Sequence, residues 1–169
     1  YVINFGGERM FHIGDKIFYP MHGAGIIEAI EEKDFLGEKK PYYIVNIPSK
    51  NMNVMVPTGN EEKLHLRKVV NAESFDHIAS VITDEDVEEP PVHPTQRHRV
   101  YMDKIKSGDF IEGIKVIRDL KRISKQKNLG TADKNMLANA EQILISELAM
   151  VKNMNEDQAT QYLNKVINA

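Results

Sequence analysis

A chain of 169 residues with 41% hydrophobic side chains and a formal net charge of −3 has the composition of one ordinary folded domain or two small ones, which excludes disordered and fibrous classes. It contains no cysteine, so disulfides, zinc–thiolate sites and cysteine nucleophiles are excluded, and a reducing compartment suits it. No apolar run approaches the roughly 18–20 residues that span a bilayer, and the first residues lack a basic-then-apolar signal pattern; the expected location is the cytoplasm.

Residues 1–9 precede Met10, which has the character of a natural start, and the expectation is that they are a leader or an added segment outside the fold. From Phe11 to about Val70 the pattern is short, β-rich and punctuated by turns. "KIFYP" (Lys16 to Pro20), "GAGIIEAIEE" (Gly23 to Glu32), "PYYIVNI" (Pro41 to Ile47) and "MNVMVP" (Met52 to Pro57) favour β-branched and aromatic side chains between Gly, Asn and Pro breaks. Such spacing predicts a small antiparallel barrel or a strongly twisted sheet. "FLGEKKP" (Phe35 to Pro41) reads as a hairpin loop with Gly37 free to take a positive φ. A short helix is predicted over Ala72 to Ile82, with Phe75, Ile78, Ala79 and Ile82 on one face.

"TDEDVEEPPVHPTQ" (Thr83 to Gln96) carries acids and the prolines at 90, 91 and 94, which disfavour helix at and before each position, so it reads as an extended linker. Beyond Pro94 the period becomes 3.6. A helix starts at Pro94 and Thr95 and places Val100, Tyr101 and Ile105 on one side. The next, Asp109 to Asn128, sets Ile114, Ile117, Leu120 and Ile123 opposite Lys115, Arg118, Lys121, Arg122 and Lys125. A third is predicted after Gly130 with Thr131 as its N-cap and a buried face of Met136, Leu137, Ala140, Ile143, Leu144 and Leu148. The last begins at an Asn or Glu cap and buries Ala159, Tyr162, Leu163 and Val166. Amphipathic helices of this kind bury their stripes against one another, which predicts a small bundle. The expected class is therefore α+β with two domains, a β unit over 10–71 and an all-α unit over 96–169, joined through 72–95.

Charge is uneven along this order. Residues 10–89 carry 8 Lys/Arg against 15 Asp/Glu, or −7, whereas 96–127 carry 10 against 4, or +6. An acidic first half beside a basic segment suggests two surfaces for two partners, one of them a polyanion, with a merely solvated basic helix face as the alternative.

Catalytic readings are poorly supported. "HGAGII" lacks the third glycine of a dinucleotide loop and runs into strand rather than helix, and no GxxxxGK[ST] occurs. The six histidines form no HxxxH or HExxH, and only His93 and His98 lie close together, so no metal site is expected. There is no GxSxG, and the carboxylates of 84–89, in a Pro-rich stretch, would stay solvated and ionised. No enzyme activity, catalytic residue or cofactor is expected.

Several motifs in one order carry a resemblance: "GDKIFYPMHGAG", "NVMVP", "LHLRKVV", "SGDFIEGIKVIRDL" and "MLANAEQILISELA". Met10 to about Lys152 resembles the CarD/CdnL family of bacterial transcription regulators, whose N-terminal module is shared with the polymerase-interacting domain of transcription-repair coupling factors. The resemblance implies a Tudor-like or SH3-like barrel that docks on the β subunit of RNA polymerase. It also implies a helical domain that touches promoter DNA at the upstream edge of the melted region, in a complex with the housekeeping σ holoenzyme. Such a protein stabilises the open complex without catalysis, is nucleoid-associated through polymerase and does not use a membrane. Polymerase contacts are implied at Lys33, Phe35, Val54 and Met55; relatives often carry arginine at 33 and 55, so Met55 departs from the pattern. DNA contacts are implied at Pro94, Arg97, Arg99 and Lys134, and from the charge pattern alone Lys121 and Arg122 are candidates to extend that basic patch. Many relatives carry a wedge tryptophan near Pro94, and this chain has no tryptophan. The alternative expectation is a polymerase-bound protein-interaction adaptor without DNA contact.

Overall fold

The computed structural model describes residues 10–81 and 93–168; the expected leader (1–9), Ile82 of the expected short helix, most of the expected linker (83–92) and Ala169 lie outside the described residues. Strands come first: β1 (Lys16–Tyr19), β2 (Gly23–Phe35), β3 (Glu38–Ile47), β4 (Met52–Pro57) and β5 (Arg67–Lys68). They pair antiparallel in the order β4-β3-β2-β1-β5. A register irregularity between Ile27 and Ala29 bends β2, and the sheet encloses one cluster. Phe11, Ile17, Ile27, Tyr43, Val45, Ile47, Val56 and Leu66 fill that cluster, so the middle strand β2, the edge strand β4 and the approach to β5 all share it. Tyr43 is fully buried, and its hydroxyl donates to Glu61 Oε1 at 2.7 Å, which satisfies both polar groups inside the sheet.

The strands β2 and β3 run further than the sequence pattern predicts. Lys33 to Phe35 stay paired with Lys40 to Glu38, and only Leu36 and Gly37 turn the chain. The expected loop Phe35 to Pro41 is thus mostly strand.

Helices follow: α1 (Ala72–Val81), α2 (Pro94–Lys106), α3 (Phe110–Gln126), α4 (Thr131–Lys152) and α5 (Glu156–Asn168). Asp109 caps α3 by accepting from the Glu112 amide at 3.0 Å. Asn155 and Gln158 cap α5 reciprocally, each side chain accepting from the other's amide at 2.8 and 3.1 Å. The expected Thr131 cap is not used: Gly130 is the N-cap and Thr131 the first helical residue of α4. The stripes pack as one core of Tyr101, Ile105, Ile114, Ile117, Leu120, Met136, Ala140, Ile143, Leu144, Leu148, Ala159, Leu163 and Ile167. Ile167 takes the buried place expected for Val166, which is half-buried.

The strand unit and the helical unit pack against each other. Phe18 of β1 belongs to the helical core. The β1–β2 turn lies against α4, where the Ala24 amide donates to Ser146 Oγ at 3.0 Å. A Cβ on Gly23 would come within 2.6 Å of that oxygen, and one on Gly25 within 2.6 Å of Val45 Cγ1 and 2.8 Å of the Asn46 carbonyl oxygen. These two glycines therefore hold no ligand loop open; they let the hairpin close onto β3 and α4.

Glu147 of α4 makes the strongest tie. Its carboxylate is 0% exposed and accepts from Arg67 Nη1 at 2.6 Å, Arg67 Nη2 at 2.8 Å and the Val70 amide at 3.1 Å. Arg67 Nε donates to the Gly108 carbonyl at 2.6 Å, and the guanidinium lies 4.3 Å from the Phe18 ring centre. A buried carboxylate held in a bidentate fork is costly to orphan. Glu147→Ala is expected to lower the unfolding free energy by about 3–5 kcal/mol, read from urea midpoints. Arg67→Ala in the same background should then cost much less than it does alone; additive losses would show that the two residues do not act as a pair.

Candidate protein and nucleic-acid interfaces

Side chains alternate across the sheet, so the buried set Tyr43, Val45, Ile47 and Val56 defines which residues face outward. Ile30 lies opposite Tyr43, so Lys33 and Phe35 on β2 share the outer face with their partners Lys40 and Glu38. Tyr42 and Ile44 on β3 continue that face, and Met55, opposite Ile44, completes it on β4. Phe35 is 66% and Met55 57% exposed. Lys33 Nζ lies 2.9 Å from Glu31 Oε2 on the same face, so its charge is shared with a neighbour. Val54 falls on the other parity and packs against the barrel core, leaving its backbone as the part that an incoming chain would meet. The β4 strand is a sheet edge, where backbone groups are open to pairing.

The basic set divides in a similar way. Pro94 is the first residue of α2 and is exposed, with His93 as the N-cap. Arg97 is buried: its Nη2 lies 2.6 Å from Asp133 Oδ2 in the first turn of α4, both residues nearly solvent-free. His98 Nδ1 sits 3.6 Å from the other oxygen of the same carboxylate. Arg97 therefore ties the start of α2 to the start of α4, and a phosphate would have to displace Asp133 to reach it. Arg99 and Lys134 are exposed near the starts of α2 and α4, which the pair of Arg97 and Asp133 brings together. The dipoles of the two helix starts add positive potential near those cations.

Lys121 and Arg122 lie elsewhere on the helical unit, on a cleft of about 730 Å³ between α3 and α5 that Arg118, Lys125 and Asn164 also line. Lys121 Nζ donates to Asn164 Oδ1 at 2.7 Å and lies 3.5 Å from Glu141 Oε1. Arg118, expected on the solvated face, is 3% exposed. Nearby, burial raises the Asp119 carboxyl above its ordinary value against the pull of Arg118, and burial likewise raises Tyr101, whose hydroxyl lies 3.3 Å from Asp119.

Arg97 is expected from the sequence as a DNA contact and Arg118 as part of a solvated face, and Asp133 and Glu147 are passed over there, although a signal for their burial exists. Arg97, Tyr101 and Ile105 recur at i, i+4, i+8; Ile143, Leu144, Glu147 and Leu148 lie on one face; Asp133 shares a face with Met136 and Ala140. A charged residue on an apolar stripe needs a buried partner. Among the described residues no group of three or more His, Cys, Asp or Glu could hold a metal ion, and no helix is long and apolar enough to cross a membrane.

Two family matches cover the chain. Residues 11–70 match the family described as CarD-like/TRCF RID domain, and residues 77–164 match that described as CarD, C-terminal domain. The chain is also similar to YdeB of Bacillus subtilis (strain 168), named as a candidate transcription factor. The two are 46% identical over 150 residues, which span 88% of this chain and 97% of that one.

Exposure separates the cations by role. Arg97→Ala is expected to cost about 3–5 kcal/mol of stability, because it strands Asp133, whereas Arg99→Ala and Lys134→Ala should each stay within about 0.5 kcal/mol of wild type in thermal melts.

Proposed function

The chain belongs to the CarD/CdnL family of transcription factors, with an RNA polymerase-interacting domain, and from that membership we propose that it docks on the polymerase β subunit and contacts promoter DNA at the upstream edge of the melted region. Docking uses the outer sheet face and the β4 edge, with Lys33, Phe35 and Met55 supplying side chains and Val54 backbone. The DNA surface is the corner where α2 and α4 begin, with Pro94 as a small apolar wedge and Arg99 and Lys134 on phosphates. Proline side chains of this kind act as wedges in minor-groove binders. Arg97 positions that corner from beneath, while Lys121 and Arg122 offer a second basic surface at the cleft between α3 and α5.

One observation carries the reading: an edge strand and a cationic double helix start stand on a single packed unit, tied by the fork between Arg67 and Glu147. A rigid bridge gains from binding two surfaces at once only when both are present at the right spacing. Open-complex stabilisation then follows as a population shift, because a protein that contacts the melted junction better than closed duplex moves the equilibrium by its differential affinity. A difference of about 1.4 kcal/mol is a factor of ten. The setting is a housekeeping σ holoenzyme in the cytoplasm, with the protein carried on the nucleoid by polymerase.

A second reading, a polymerase-bound adaptor without DNA contact, draws on the engagement of Arg97 by Asp133 and of Lys121 by Asn164 and Glu141. The double variant Arg99→Ala/Lys134→Ala decides between them. It should bind polymerase as wild type does, shorten open-complex lifetime by about tenfold, and reduce the slope of log affinity for DNA against log salt by about 2, at roughly 0.9 per phosphate. An unchanged lifetime and slope would favour the adaptor. Met55→Asp should abolish capture of the β subunit, since it places an unpaired carboxylate in the docking face; retained capture would contradict docking by that face.

A further inference from the structure

The turn between β2 and β3 is built against its own chemistry. Leu36 and Gly37 are its two central residues, with φ of 52° and 82°. Positive φ at both positions defines the type I′ hairpin turn, which favours Asn or Asp followed by Gly. Gly37 meets that demand. Leu36 does not: a leucine in the left-handed region is strained, and its side chain gains nothing locally to offset this, since it is 91% exposed. Phe35, beside it, is 66% exposed. Two large apolar side chains thus stand in water at the tip of a paired hairpin, one of them in a conformation that asparagine would adopt with less strain.

Strain that a single substitution would relieve, kept at an exposed apolar tip, indicates a role for the side chain away from the fold. The tip continues the outer sheet face that holds Lys33 and Met55, and it lies within the 11–70 match to the CarD-like/TRCF RID domain. The geometry points to Phe35 and Leu36 as an apolar anchor that inserts into a concave apolar pocket on RNA polymerase, beyond the reach of the β4 edge. This rests on the docking reading above and adds to it a specificity-determining residue, Leu36, and the chemistry of the surface that receives it. The β4 edge supplies backbone pairing, and the tip supplies buried apolar area at a distance from it.

The test is Leu36→Asn in the full chain, measured by thermal melting and by affinity for purified bacterial core polymerase. The substitution installs the favoured Asn-Gly turn, so the fold should gain: Tm is expected to rise by about 2–4 °C. Affinity for polymerase should fall by about tenfold in the same protein, while Leu36→Met, which keeps an apolar side chain, retains it. A Leu36→Asn protein that is more stable and binds polymerase as tightly as wild type would overturn the anchor and leave β4 docking standing. Wild-type protein that fails to bind polymerase would overturn both. If wild type self-associates in sedimentation, and Leu36→Asn removes that association with polymerase affinity unchanged, the tip is a contact between copies and the anchor is likewise overturned.

Discussion

The carboxylate of Glu147 has no contact with solvent, and the arrangement of the molecule follows from what that requires. A buried charge needs an opposite charge and enough donors to replace water. Arg67, on the short strand that closes the sheet, supplies the fork, and the Val70 amide supplies a third donor as the chain leaves for α1. Arg67 is fixed in turn by the Gly108 carbonyl between α2 and α3 and by the ring of Phe18. Four separate parts of the chain therefore meet at one charge pair, and the strands and helices become one body. Replacing one partner alone leaves a stranded charge, which makes the geometry of the pair specific as well as stabilising.

With that junction in place, the two proposed surfaces acquire a fixed spacing. The outer sheet face ends at an open edge strand and an apolar hairpin tip; the helical unit presents the paired starts of α2 and α4. A second ion pair, Arg97 with Asp133, repeats the same logic beneath the second surface, where it aligns the two helix starts. The exposed cations Arg99 and Lys134 then sit on a rigid support, with Arg97 as part of the support itself.

Much of the fold was legible in the amino-acid sequence, because period-2 and period-3.6 patterns with Gly and Pro breaks are local signals. The helices were placed to within a few residues, and four of the five strands were placed as segments; the pairing of β5 with β1 joins residues distant in sequence and has no local signal. The hairpin was misjudged in length because charged residues such as Lys33, Asp34, Lys39 and Lys40 hide strand that continues into solvent. Thr131 was expected as a cap on propensity alone, whereas Gly130 occupies that position. The basic surface was harder to read. A lysine or arginine in a helix contributes equally to a charge count whether it faces water or a buried aspartate, and only its place on the apolar stripe distinguishes Arg97 and Arg118 from Arg99. Likewise the role of Gly23 and Gly25 depends on α4 and β3, distant in sequence, which a local glycine pattern cannot show.

The central claim is that one junction holds the sheet and the helices at a single separation. The absence of cysteine makes this directly measurable, since Lys63→Cys ahead of β5 and Asn135→Cys on α4 give two exposed and unique labelling sites. Spin-label distances between them are expected to form one narrow distribution in the free protein, unchanged on binding polymerase, and to broaden when Glu147→Ala is added. A broad or two-peaked distribution in the protein with Glu147 intact would contradict the account.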